Sequence, residues 1–368
     1  MKGCFMKKKV QDDVIFAREK KRPIAPAVLL ILFLLMISVV FFYNVVLNGH
    51  AVLLRQSVTV ASLPGKLEGF RILNLSDLHG KLFGVGQENL LAALDGIKYQ
   101  AVCVTGDITD KNGSAKALIR LIDQLPEDVP VFFVPGDEDP DPIVVSERAS
   151  SAKASYVTAL ENAGAIFLDA PTAVTYNGST VWFCPESLYT LDVASSRDAA
   201  EKRLAALDGE EPTALTDAQI RAAQYQLDRL DRYLEAQKSM VATDIHVALT
   251  HVPLSMERLR ALHDEFADGA SVYVQGVSLV LAGHYCAGQW RLPGRGALYL
   301  PDIFSTPETG FFPSDRGVVG AQSVLGITQY ISPGLASSSI YPFPIRAGRF
   351  FNQPAVTLIT LTARMSQN

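Results

Sequence analysis

Apolar residues recur along the chain in short runs, each closed by polar, acidic or glycine positions. Residues 70–75, 101–105, 129–134, 165–167, 181–183, 247–250 and 277–282 are such runs, rich in Val, Ile and Phe. Their length and their Gly, Pro and Asp boundaries predict strands. Between the first three, residues 87–94 and 114–125 predict helices. The second puts Ala117, Leu118, Leu121, Ile122 and Leu125 on one face. Strand and helix alternate, and the strands lack a polar face, so the pattern predicts an α/β domain whose helices cover a central sheet.

Three stretches depart from that rhythm. Residues 193–242 are rich in Ala, Leu, Gln, Glu, Asp and Arg. There Thr216 and Gln219 predict a capping box, followed by an apolar stripe of Ile220, Ala223, Leu227, Leu230 and Leu234. The stripe predicts a helical insertion packed on its own domain, with a partner or a membrane surface as the alternative. Residues 51–68 predict a stalk leading into a strand, with Val58, Val60 and Leu63 starting the alternation. Residues 324–361 alternate around Gly and Pro and predict antiparallel strands completing a second sheet. Within them Ser337–Ser339 read as a loop rather than a site.

The longest apolar run, residues 24–47, carries no charge, and Ser38 and Asn44 are its only clearly polar side chains. As a helix it spans roughly 36 Å, enough for a hydrocarbon core of about 30 Å. Phe41, Phe42 and Tyr43 gather at its far end, and Arg18, Lys20, Lys21 and Arg22 flank its start. The positive-inside bias predicts a cytoplasmic N-terminus and an extracytoplasmic body. A cleaved signal and a buried core helix are the alternatives; the run's length, its bulky distal end and the absence of an Ala-x-Ala site favour a retained anchor. The expected organisation is a basic cytoplasmic tail (1–23), a transmembrane helix (24–47), a stalk (48–67) and a domain (68–365) with its insertion at 193–242.

With 48% hydrophobic and 19% charged residues in 368, the chain is neither disordered nor collagenous. It carries 33 basic and 38 acidic residues, for a net charge of −5. The first 22 residues are net basic, so the remainder is more acidic still. Such a body lacks the positive excess that releases phosphate counterions, and no nucleic-acid partner is expected. Cys4, Cys103, Cys184 and Cys286 lie far apart, which supports neither a zinc knuckle nor a disulfide framework.

Chemistry gathers where strands end. NLSDLHG holds Asp77 and His79, VTGDITD holds Asp107, FFVPGDEDP holds Asp137, Glu138 and Asp139, LTHVP holds His251, and LAGHYCAGQ holds His284 and Cys286. His and carboxylate residues at separate strand ends, beside glycines that allow close backbone approach, suit a transition-metal site. Singly each cluster is a weak signal, because surface turns often contain Asp-x-His. Jointly they match what two divalent ions about 3.5–4 Å apart require, with a short carboxylate such as Asp107 to bridge them.

In this order the clusters resemble the calcineurin-like metallophosphoesterases, and within them the membrane-anchored YkuE/YaeI-like phosphodiesterases. The resemblance covers residues 68–362 and extends to HGKLFGVGQENL, GQWRLPGRGALYLPD and SPGLASSSIYPFPIR. It implies a four-layer α/β/β/α sandwich behind one transmembrane helix. It also implies two divalent transition-metal ions, zinc, iron or manganese. Asp77, His79 and Cys286 would be ligands of metal one and Asp107 the bridge. Asp137, His251 and His284 would be ligands of metal two. Glu138 and Asp107 would be the catalytic residues.

Three positions depart from the family pattern. Asp137 stands where an asparagine is usual, Glu138 where the substrate-facing histidine is usual, and Cys286 where a second histidine is usual. A thiolate at Cys286 would favour zinc or iron over manganese, and such a thiol would be open to oxidation outside the cytoplasm. Glu138 repels a phosphate anion when ionised and donates a proton only when protonated. Two readings follow. One is a phosphoester hydrolase acting outside the membrane on a phosphorylated small molecule or lipid. The other is an impaired homologue that binds metal or a ligand. Arg291 and Arg346 are candidates for phosphate contact or for structural ion pairs. Asp139 is expected to shape the loop before Pro140, and His246 and His263 to be ordinary structural residues.

Overall fold

A computed structural model of the chain describes residues 24–267, 276–301 and 309–363. The expected cytoplasmic tail (1–23), Cys4 within it, and positions 364–365 lie outside the described residues. The chain divides into two units, Met1–Tyr43 and Asn44–Asn368. Helix α1 (Ile24–Asn48) begins in the first, with Pro26 in its opening turn, where a missing N–H costs nothing. Residues Pro26–Asn48 are long and apolar enough to cross a membrane, and every side chain from Leu29 to Leu35 is exposed.

The second unit is an α/β sandwich of two six-stranded mixed sheets. The first contains β1 (Val52–Val60), β2 (Arg71–Leu75), β3 (Ala101–Thr105), β4 (Val131–Val134), β5 (Ala165–Phe167) and β16 (Ala355–Ala363), in the order β1-β16-β2-β3-β4-β5. The second contains β6 (Thr172–Tyr176), β7 (Ser179–Pro185), β8 (Ile245–Leu249), β9 (Leu279–Ala282), β14 (Gly320–Val324) and β15 (Ile327–Ile331), in the order β14-β15-β9-β8-β7-β6. Two small antiparallel pairs lie apart from the sheets. They join β10 (Arg291–Leu292) to β11 (Gly296–Ala297) and β12 (Tyr299–Leu300) to β13 (Gly310–Phe311).

Side-chain alternation explains why the strands read as unbroken apolar runs. Along β3, Ala101 and Cys103 turn toward the second sheet, while Val102 and Val104 turn toward helices. Phe132 and Phe183 stack between the sheets with ring centroids 4.7 Å apart, a pair worth about 0.5–1.5 kcal/mol beyond its buried area. On the outer face of the first sheet lie α2 (Glu88–Leu91), α3 (Lys116–Ile122) and α4 (Ser155–Asn162), which bury Leu90, Leu118, Leu121, Val157 and Leu160. The second sheet's outer face meets α7 (Met256–Ala267) through Leu259 and Leu262.

The sequence misplaced two features. Residues 193–242 form two helices, α5 (Val193–Leu207) and α6 (Ala214–Ser239), rather than one. The cap of α6 is Thr213, in extended conformation, whose hydroxyl accepts the Thr216 N–H at 3.0 Å. Thr216 therefore lies in the first turn instead of capping it. The tail also divides. β14 and β15 are antiparallel and join the second sheet as expected, but β16 enters the first, parallel to β1 and antiparallel to β2. Val356 and Leu358 face the helices while Ile359 and Leu361 face the other sheet. Periodicity marks such a strand but not its partners.

Candidate metal centre

Every expected ligand lies at or just beyond the carboxyl end of a parallel strand. Asp77 and His79 follow β2, Asp107 follows β3, Asp137 and Glu138 follow β4, His251 follows β8, and His284 and Cys286 follow β9. The two sheets contribute their carboxyl edges to one place, as open α/β sheets do for binding loops. Five of these residues hold positive φ without being glycine: Asp77 (53°), His79 (43°), Asp107 (53°), His284 (78°) and Cys286 (47°). Such conformations cost of order 1–3 kcal/mol each and collect at functional sites. Backbone bonds hold them in place, including His79 N–H to the Asp107 carbonyl at 2.8 Å and Asp77 N–H to the Gly106 carbonyl at 3.0 Å.

Glycine is required at two close approaches. A Cβ on Gly106 would lie 2.3 Å from His251 Nδ1, and one on Gly136 would lie 2.1 Å from Asp107 Oδ1. Any side chain at either position would displace a candidate ligand.

The side chains fall into overlapping groups. Asp107, Asp137, His251 and His284 each offer one ligand atom, all within 4.8 Å of one another; so do Asp77, His79 and Cys286, and so do His79, Asp107 and Glu138. Asp107 Oδ2 lies 3.2 Å from His251 Nε2 and 3.5 Å from His79 Nε2. Asp137 Oδ1 lies 2.8 Å from His251 Nε2 and 2.9 Å from His284 Nδ1, and those nitrogens are 3.1 Å apart. Asp77 accepts the His284 N–H at 3.0 Å and the Ser76 hydroxyl.

These contacts fit a cation. His251 Nδ1 lies 2.8 Å from the Thr105 carbonyl, which can only accept. Nδ1 therefore carries the proton, and in a neutral ring Nε2 turns a lone pair toward two carboxylates. Lone pairs aimed at one another need a proton or a metal ion between them. Among the described residues, the buried atoms His79 Nε2 and Asp107 Oδ2 have no hydrogen-bond partner.

The metal-free electrostatics agree. Burial alone would lower the His251 pKa, but the adjacent Asp107 and Asp137 carboxylates, with Asp77 nearby, hold it well above the usual range. Burial likewise works against ionised Asp107 and Asp137, yet the histidines outweigh it and hold both carboxyls below their ordinary range. Asp77 is pushed up, chiefly by burial. Burial and the Asp77 charge push the Cys286 thiol well up as well, with Arg349 opposing. Cys286 is fully buried, so the expected exposure to oxidants does not hold.

Several supporting residues gave little sequence signal. Ser338 and Ser339, read as loop, both donate their hydroxyls to Glu138; the Ser339 bond is 2.6 Å. Asp139 shapes its loop as expected and reaches further, accepting from the Ile108, Thr109 and Gly136 N–H groups and the Thr109 hydroxyl. It thereby joins the Asp107 loop to the Asp137 loop. Arg291 is taken up by an ion pair with Asp315 at 2.6 Å. His246 is buried beside Tyr189, and His263 is half-buried on α7 next to Asp264.

A family model for calcineurin-like phosphoesterases matches residues 70–287, more than half of the chain, and the protein belongs to that family. Among solved structures, the phosphopantetheinyl hydrolase PptH from Mycobacterium tuberculosis is similar at 16% identity. That match covers 82% of this chain and 99% of that one, with a TM-score of 0.36. No curated protein matches significantly.

Proposed function

We propose that the protein is a two-metal phosphoesterase of the membrane-anchored branch, hydrolysing a phosphomonoester or phosphodiester outside the cytoplasmic membrane. The observation that carries this reading is Asp107 Oδ2, buried, unpartnered and between His79 and His251. One carboxylate oxygen shared in this way suits a bridge between two cations.

Asp77, His79, Cys286 and Asp107 would hold one ion, and Asp107, Asp137, His251 and His284 the other. Bound there, divalent ions supply Lewis acidity toward the phosphoryl oxygens and acidify a coordinated water. The thiol of Cys286 favours zinc or iron over manganese, and its binding requires loss of the proton that burial retains.

The chain's own residues set the geometry. The Thr105 carbonyl fixes the His251 tautomer. The Glu138 N–H holds Asp107 Oδ1 at 3.0 Å and so turns Oδ2 inward. Glu138 itself accepts hydroxyls on both carboxylate oxygens. That arrangement supports a fixed, acceptor-only carboxylate 4.0 Å from His79 Nε2 rather than a donor of the leaving group's proton.

The apolar segment 24–47 and its basic flank support a single-pass anchor with a cytoplasmic N-terminus. Tethering supports a substrate at the bilayer, such as a lipid headgroup or a phosphorylated envelope precursor. The clamped Glu138 favours a second reading, a metal-binding homologue with impaired turnover. Metal analysis of the purified full-length protein, followed by assay on bis(4-nitrophenyl) phosphate, separates the two. Two ions with turnover support the hydrolase, two ions without turnover of any phosphoester support the impaired homologue, and no bound ion defeats both.

A further inference from the structure

A cavity of about 290 Å³ opens beside His251, which contributes to its lining. The exit of β4 forms one wall through Pro135, the end of β5 and the residue after it a second through Phe167 and Leu168, and α6 a third through Tyr225, Gln226 and Arg229. Helix α6 is fastened over these strand ends by Asp169. That carboxylate pairs with both Arg232 terminal nitrogens at 2.7 and 2.8 Å and accepts the Tyr225 hydroxyl, while the Asp169 carbonyl accepts Arg229 Nε at 2.8 Å.

The wall is mainly apolar and its acids are neutralised. Asp169 is paired with Arg232, and Glu186 is paired with Arg258 at 2.9 Å. Arg229 forms no ion pair among the described residues, so its guanidinium is a cationic feature in an otherwise apolar surface. A volume of about 290 Å³ sits at the lower limit of small-molecule sites, roughly 300–1,000 Å³. It suits one compact ring system. Phe167 and Tyr225 provide aromatic walls, and the planar guanidinium of Arg229 can stack on or donate to such a ring.

We propose that this cavity is the subsite for the organic group of the phosphoester, and that it selects an aryl or heteroaryl group about the size of a nucleobase. The proposal rests on the phosphoesterase reading above. Helix α6 is then a specificity element: it closes the wall that distinguishes ring-bearing esters from small alkyl ones. A diester would place its second group outside, toward solvent.

The test is calorimetric binding of two non-hydrolysable probes, methylphosphonate and phenylphosphonate, to the full-length zinc-loaded protein. At a pH above the second ionisation of each, both are dianions, and only the second carries a ring to place in the cavity. Phenylphosphonate should bind at least about tenfold more tightly, the scale of burying one ring. Ser187→Trp, from an exposed position on the cavity's edge, and Gln226→Trp, from α6, should each bring the affinity for phenylphosphonate down to that for methylphosphonate. Equal affinity for the two probes in the wild type, or an advantage that survives both variants, overturns the subsite while leaving the phosphoesterase reading intact. Binding of neither probe overturns that reading and the subsite with it.

Discussion

Nε2 of His251 lies 3.2 Å from Oδ2 of Asp107, two side chains from different sheets, and the other nitrogen of the same ring, Nδ1, lies 2.8 Å from the Thr105 carbonyl. The same carbonyl that ends β3 fixes the proton on His251 Nδ1, so one strand end supplies both the carboxylate and the orientation of its partner. The arrangement joins the two halves of the candidate centre.

Removing the bridge should dismantle the centre. Asp107→Asn leaves the side chain's volume and takes away its charge. Metal affinity should fall by more than the roughly 10–100-fold typical of an outer-shell partner. Metal content after dialysis reads this directly, and full retention of two ions would exclude Asp107 as a bridge.

Gly136→Ala should achieve a similar loss without replacing a ligand, because its Cβ would meet Asp107 Oδ1 at 2.1 Å and Asp107 N at 2.3 Å and displace that side chain. The expected signature is reduced metal content in a protein whose far-ultraviolet circular dichroism is unchanged. Normal metal content in this variant would mean that the loop relaxes easily.

Asp139→Ala should act through stability. It removes the acceptor that ties the Ile108, Thr109 and Gly136 N–H groups together. Charge-assisted bonds of this kind make a loss of roughly 2–4 kcal/mol the expected result in urea unfolding. A change under about 0.5 kcal/mol, the range of ordinary surface substitutions, would show that the loops stand without it.

Acid should destabilise the protein through His246. Burial lowers its pKa from 6.5 to about 4, so between those values the unfolded chain takes up a proton that the folded one refuses. Stability from this group is complete above pH 6.5 and falls as pH drops toward 4, by about 3 kcal/mol. His246→Phe should flatten that part of the profile, and an unchanged slope would assign it to other groups.

Cys286→His restores the histidine usual in the resembled family and replaces a soft donor by imidazole. Competition dialysis should show the zinc-over-manganese preference narrowing. No change in preference would remove Cys286 from the ligand set.

Much of the fold was legible because its strands are short, apolar and punctuated. The runs at 101–105 and 165–167 coincide with β3 and β5, and β15 falls within the expected tail, whereas β14 ends where that tail was expected to begin. The candidate ligands were legible for a related reason: each sits two to four residues past a strand, and His79, Asp107, Asp137 and His284 lie directly beside a glycine. Ser338, Ser339 and Asp139 were opaque as partners. A hydroxyl in a serine run and a carboxylate before proline have many uses, and only their neighbours in space select one.

The sequence by itself determined the apolar helix, the strand and helix alternation and the residue types that can bind metal, because these follow from local periodicity and side-chain chemistry. Tertiary structure alone decided that β16 lies between β1 and β2, that α6 walls a cavity beside His251, and that Cys286 is buried, which pushes its thiol pKa up. Each of those depends on contacts between residues far apart in the chain, and burial, which sets both pairing and ionisation, has no value until the chain is folded.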